Sequence, residues 1–406
     1  MWLLSSMELR AHIDMRTFAS NASDLSAFRR FIEAEGIDWL RFDANRHYRP
    51  TYRYNGALRL AVQAGELKPT VARRRIGVVV RFYRWLMTEA EFKPVHAPWS
   101  ESRYLVAWKD ERGFGNSKVI KTTDLAINHS SVEDPLDERI ADGGLLRPLP
   151  IHEQRALVKC LEALGNTEMT LIHLFSLVTG ARTQTVLTIR LKHFSQEMPQ
   201  STRNEIRVRA GPGTGIDTKR NRRGVLYLPI WLYQALHVYA FSERAQKRRI
   251  LAEGGDHPDQ YLFLSHRGAP FYDEQRDARQ ISRRKATRYV RTGQAVRQFM
   301  REKLMPAIRL YLKQPSYNFK FHDLRATCGM NMVDSMASQI AKGSLTYSQG
   351  LDRVRQLLWH SSITTTEKYL QYRVRPALHQ AAAEGWNAHL SELIKRALGL
   401  DSNAQD

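Results

Sequence analysis

Apolar side chains recur at steps of three and four along separate stretches of this chain, and no other feature constrains its folding as tightly. Leu25, Phe28 and Ile32 form one such set within a pattern that reads helical from about Phe18 to Leu86. Ile76, Val79, Val80 and Tyr83 form a second, in a helix starting near Val71. Leu157, Leu161 and Leu164 make a third, and Leu171, Leu174, Phe175 and Val178 a fourth that stops at Gly180. A helical period gathers each set on one face, so the chain must be largely amphipathic helices closed on shared cores. Ser23 or Asp24 is placed to cap the first helix. The second carries Arg73, Arg74, Arg75, Arg81 and Arg84 on its other faces. Such a row suits phosphates, although an ordinary solvated arginine face has the same pattern. From about Asp273 to Lys313 the composition is again helical and dense in arginine, including Arg279, Arg283, Arg284, Arg288, Arg291 and Arg297. Pro376 opens a last helix whose Leu390, Leu393, Ile394 and Leu398 share a face.

Two interruptions divide this pattern. Ile206 and Val208 alternate with Arg207 and Arg209, and Val225 to Leu228 form a second extended run ending at Pro229, which together predict a small antiparallel sheet. Between the runs, Gly211, Gly213 and Gly215 lack the Lys-Ser/Thr that follows in a phosphate-binding P-loop and read as a plain turn. Earlier, Glu133, Asp134, Pro135, Asp137, Glu138, Asp142, Gly143 and Gly144 make an acidic, turn-rich stretch. It reads as a linker over residues 131–149, and its charge argues against a position along a phosphate backbone. The expected fold is mainly α with a small antiparallel β-sheet. A helical N-terminal domain spans 1–130, a mixed α+β domain 150–375, and a C-terminal helix and tail 376–406.

The charge balance names the first partner to consider. Of 406 residues, 62 are Lys or Arg and 41 Asp or Glu, a net charge of +21. That field attracts polyanions over a long range, and nucleic acid is the leading candidate. Cys160 and Cys328, far apart and outside any CxxC or Cys/His spacing, suggest neither disulfides nor zinc. The first residues carry no basic leader before their short apolar run, and no stretch is long enough to span a bilayer. A cytoplasmic location is therefore expected, with no membrane partner.

Breaking a phosphodiester without metal requires cationic donors on the non-bridging oxygens, an in-line nucleophile and an acid for the leaving oxygen. The chain supplies these in order. Arg182 follows Thr179-Gly180-Ala181, and Lys219 lies near the sheet. His322 and Arg325 fall within His322-Asp323-Leu324-Arg325, and His360 stands nine residues before Tyr369. No compact carboxylate or histidine cluster has metal-ligand spacing, so no metal or cofactor is expected.

These segments resemble the motif boxes of the tyrosine recombinases, the family of phage integrases and Xer-like enzymes. Thr179 to Arg182 resembles the first box, His322 to Arg325 the HxLR of the second, and Trp359-His360-Ser361-Ser362-Ile363-Thr364-Thr365-Thr366 through Tyr369 the GHSSxxTTxxY ending. The likeness covers roughly residues 148–375 and, more loosely, the preceding helical segment, which would be the family's core-binding domain. It implies that Arg182 and Arg325 clamp the scissile phosphate of double-stranded DNA. His322 and His360 would hydrogen-bond that phosphate or move protons, and Lys219 would protonate the leaving 5′-oxygen. Tyr369 would form a 3′-phosphotyrosine, with neither metal nor ATP. It also implies a homotetramer on paired sites, assembled through the C-terminal helix docking in trans, the alternative being that this helix folds back on its own domain. Arg220, Arg222 and Arg223 compete with Lys219 on charge, but guanidinium holds its proton too tightly to serve as an acid. Tyr372, twelve residues after His360, is the competing tyrosine.

Three positions depart from the family pattern. Thr185 replaces an acid three residues after the first arginine, Trp359 replaces the glycine before the third-box histidine, and Ala326 replaces a further histidine. The Thr185 departure leaves the support of Arg182 open and lends weight to an alternative, a DNA-binding regulator that has lost catalysis. A type IB topoisomerase, with a similar residue set, would instead relax supercoils without a defined site.

Overall fold

A computed structural model of the chain describes residues 1–8, 15–109, 115–127, 139–194, 205–274 and 291–372. It divides into two compact units, Met1–Pro135 and Leu136–Asp406. Both are built mainly of helices, and each two-stranded sheet among the described residues is antiparallel.

In the first unit the helices Met15–Ala34, Pro50–Gln63 and Pro69–Glu89 pack on one another. Prolines begin the second and third, where a missing N–H costs nothing. Ile76, Val79, Val80 and Tyr83 are all buried, with Phe28, Ile32, Tyr54 and Trp99 completing the core. The first helix runs through Ser23 and Asp24, so neither caps it. Asp24 is instead 1% exposed and accepts from Arg74 Nε at 2.8 Å and a terminal nitrogen at 3.0 Å. Arg75 lies 3.9 Å from the same carboxylate and Arg84 pairs with Glu101 at 2.9 Å, so three arginines of the expected phosphate face are held by acids. The expected all-helical unit also contains a hairpin, β1 Glu101–Lys109 paired with β2 Gly115–Thr123. Leu105 and Val119, paired across it, are both exposed.

In the second unit the helices Ile151–Ala163 and Thr167–Thr179 stand where the leucine patterns place them. The strands β5 Glu205–Ala210 and β6 Gly224–Pro229 pair in a register that sets Ile206 opposite Leu228 and Val208 opposite Leu226. Gly211 bridges to Ile216, closing the glycine-rich stretch as a turn. The helical reading from Asp273 requires correction at its start, where residues 272 and 273 are extended against 291 and 292. From Gln294 it holds, as the helix Gln294–Phe299 continues through a π-helical turn into Met305–Leu312, and residues 275–290 lie outside the described residues. Arg279, Arg283, Arg284 and Arg288, like the C-terminal stripe Leu390, Leu393, Ile394 and Leu398, lie outside the described residues.

The expected linker is the larger difference. From residue 139 it is folded into the second unit, with β3 Ile140–Ala141 pairing β4 Leu145–Leu146 across the turn Asp142-Gly143-Gly144. Ile140 and Leu146 are buried among Ala326, Leu358 and Tyr369. Two apolar side chains per strand are too short a signal to stand out from a run of turn residues.

Candidate active site

The helix Thr167–Thr179 ends on Gly180 in the left-handed region, at φ +66°. A side chain there would lie 2.6 Å from Leu358 Cδ2, so only glycine fits both the backbone and the space. Ser176 Oγ donates to the Ala181 carbonyl and the Ala181 N–H to Thr179 Oγ1, tying down the turn that delivers Arg182. Arg325 sits in the first turn of the helix Asp323–Ala341, which packs on Thr167–Thr179. His360 follows the helix Tyr347–Leu358, and Tyr369 lies on the helix over 363–372.

These side chains meet at one carboxylate. Asp142 Oδ2 accepts from Arg325 Nε at 2.7 Å, His360 Nε2 at 3.1 Å and Tyr369 Oη at 3.1 Å. Its Oδ1 accepts from an Arg182 terminal nitrogen at 3.4 Å. Burial works to raise the Asp142 carboxyl, but the hydrogen bond from His360 and the charge of Arg325 outweigh it and hold the group far below the usual carboxylate range. Arg325, 2% exposed, spends its remaining nitrogens on the carbonyls of Gly180, at 2.8 Å, and Leu358. Arg182 is less satisfied. Its Nε is buried without a partner, and burial together with the like charge of Arg325 lowers it to about 10, so it remains cationic at neutral pH.

Burial, then the charges of Arg325 and Arg182, lowers His322 to about 4, so that its ring is neutral at physiological pH. His360 is lowered as well, by burial. Protonated at Nε2 toward Asp142, it accepts at Nδ1 from Thr366 Oγ1 at 3.0 Å. Tyr369 is fully buried, and burial and the Asp142 charge raise its phenol well above the ordinary value. Its ring lies against Gly329. Tyr372 is half-buried at the edge of the same cluster.

Lys219 joins the group from the turn before β6. A side chain on Gly143 would stand 3.0 Å from its Nζ, which places the ammonium beside the Asp142 turn. Burial and then the charge of Arg182 lower its pKa. Thr185 supports this turn rather than Arg182, since its Oγ1 donates to the Asp217 carbonyl at 2.9 Å and Thr188 Oγ1 accepts the Asp217 N–H at 2.8 Å. Trp359 takes the left-handed conformation, at φ +52°, that a glycine would adopt without strain. Its indole compensates by lying on Gly224, where a side chain would come within 2.3 Å, and by donating to the Val225 carbonyl at 3.0 Å.

All six sequence-derived candidates therefore fall in one site. Asp142 is the member that sequence reasoning missed, having read it as part of a linker that avoids phosphate. A turn-forming Asp-Gly-Gly between two apolar pairs was the available signal.

No protein-family model and no curated protein matches the chain. Among solved structures, it is similar to the XerH site-specific recombinase bound to a palindromic difH substrate in a post-cleavage complex. The likeness has 13% identity and a TM-score of 0.48, over 90% of this chain and 79% of that one. At that strength it identifies neither a family nor an activity. Among the described residues, no group of three or more His, Cys, Asp or Glu is arranged to hold a metal, and no helix is long and apolar enough to cross a membrane.

Proposed function

We propose that this protein is a tyrosine-type site-specific DNA recombinase that cleaves and rejoins strands through a 3′-phosphotyrosine at Tyr369. The observation that carries the reading is the convergence of Arg182, Arg325, His360 and Tyr369 on one anionic position, with Lys219 and His322 beside it. Two guanidinium groups and an imidazole around one acceptor are the donors a phosphodiester needs as charge builds on its non-bridging oxygens. The Tyr369 oxygen forms the new bond to phosphorus, its phenol proton passing to a neutral imidazole of the site, as the bond to the 5′-oxygen breaks. Lys219, whose lowered pKa makes its proton easier to give, protonates the departing oxygen. Reversal restores the phosphodiester, because the ester energy is retained in the phosphotyrosine. Double-stranded DNA is the substrate, and the working assembly is a homotetramer on paired sites.

The test is a nicked suicide substrate. Tyr369→Phe is expected to bind DNA and form no covalent adduct, while Tyr372→Phe still forms one. An adduct mapped by mass spectrometry to Tyr372, or none in the wild-type protein on any DNA that it binds, refutes the assignment.

A further inference from the structure

The acid at the centre of the site stands where, on the reading above, substrate should be. We propose that Asp142 is an internal surrogate for the scissile phosphate, so that the β3–β4 hairpin holds the site in a resting state from which DNA must displace the carboxylate. The inference rests on the proposed strand-cleavage chemistry for its meaning, although the anion exchange it describes is measurable without that chemistry.

Four observations carry it. First, the Asp142 carboxylate takes hydrogen bonds from the very groups assigned to the phosphate, Arg182, Arg325 and His360. A carboxylate and a phosphodiester each offer a single negative charge on paired oxygens, so both fit the same donors. Second, the nucleophile is held by the same atom. Tyr369 Oη donates to Asp142 Oδ2 at 3.1 Å, and the ring is fully buried against Gly329. A phenol that has given its hydrogen bond to a carboxylate, and is raised by burial and then by that negative charge, is a poor nucleophile until the acid leaves.

Third, the hairpin covers the acid group as well, since Gly143 lies next to Lys219 Nζ. The flanking Ile140 and Leu146 anchor the hairpin in the core, which leaves the Asp142-Gly143-Gly144 turn as the part to move. Fourth, the carboxylate fills the site incompletely. Arg182 reaches it only at 3.4 Å, and the Arg182 Nε is buried with no partner. A buried guanidinium nitrogen left unpaired is costly, and a tetrahedral anion with more acceptor oxygens can satisfy it. Asp142 is thus a ligand good enough to hold the resting site and poor enough to be exchanged.

The experiment compares wild type with Asp142→Asn and Asp142→Ala in the full chain. Inorganic phosphate is the probe, titrated by calorimetry and followed by thermal melting. Both variants are expected to bind phosphate at least ten times more tightly than wild type and to be stabilised more by it. If removing the acid leaves Arg182 and Arg325 too poorly compensated to fold in a phosphate-free buffer, recovery of a cooperative melt on adding phosphate supports the proposal equally. Equal phosphate affinity in all three proteins, or variants that phosphate does not restore, overturns it. On a nicked suicide substrate, Asp142→Asn is expected to form the adduct at least ten times faster at equal DNA occupancy. Slower adduct formation by the variant, with DNA binding intact, would make Asp142 a positioning residue for Arg182 and His360 instead. If none of the proteins forms an adduct while phosphate affinity still rises in the variants, the strand-cleavage reading fails and the anion exchange stands.

Discussion

Gly329→Ala tests whether Tyr369 really occupies its buried seat. Inside a helix this exchange normally stabilises by about 1 kcal/mol, because alanine loses less backbone freedom than glycine. Here a Cβ would lie 2.5 and 2.8 Å from the Tyr369 ring and 2.9 Å from Leu358 Cδ1. Neither neighbour can retreat into solvent, since both side chains are fully buried. Forcing a methyl into such packing costs about 1–3 kcal/mol, so the net effect is a loss of up to about 2 kcal/mol, or a factor of up to about 30 in local opening. Gly77→Ala, in the helix Pro69–Glu89, is the control. Its nearest neighbour is the mobile end of Arg81 at 3.7 Å, and it should gain about 0.5–1 kcal/mol. Hydrogen exchange read on peptides from 323–341, 363–372 and 69–89 separates the two outcomes without assuming that both units melt together. Should Gly329→Ala raise protection as Gly77→Ala does, Tyr369 does not rest on that helix.

Three further expectations follow from the same packing. His173, His193 and His322 are each lowered to about 4, chiefly by burial, so the unfolded chain takes up protons first as pH falls. Their stabilisation is complete above about pH 6.5 and is lost between there and pH 4, by up to about 3 kcal/mol per ring, which urea melts across that window should register. Arg74→Ala leaves Arg75, at 3.9 Å, as the remaining ion-pair partner of the buried Asp24 among the described residues, and should destabilise the first unit by about 1–3 kcal/mol. Asp24→Asn combined with it should recover part of that loss in a double-mutant melt. Lys219→Ala should cut ordinary DNA poorly and recover when sulfur replaces the leaving 5′-oxygen, because a thiolate departs without an acid. Failure to recover would move the acid to another group.

The sequence by itself determined the parts that depend on neighbours along the chain. Leucine spacing fixed the helices Ile151–Ala163 and Thr167–Thr179, alternation fixed β5, the apolar run before Pro229 fixed β6, and Gly180 ended its helix because only glycine takes that φ without strain. The order Arg182, Lys219, His322, Arg325, His360, Tyr369 was likewise legible, through the resemblance of their segments to the tyrosine recombinase boxes. Tertiary structure decided what those residues touch. Nothing local distinguishes Asp142 from the other acids of a turn-rich stretch; its role comes from Arg325, His360 and Tyr369, which lie 183, 218 and 227 residues further along. Thr185 looked like a lost acid, and became a support for the Lys219 turn only once Asp217 was brought beside it. Burial is the physical reason for the division. Periodicity says which face of a helix is apolar, but the cost of enclosing charge is settled by whichever distant partner the folded chain supplies.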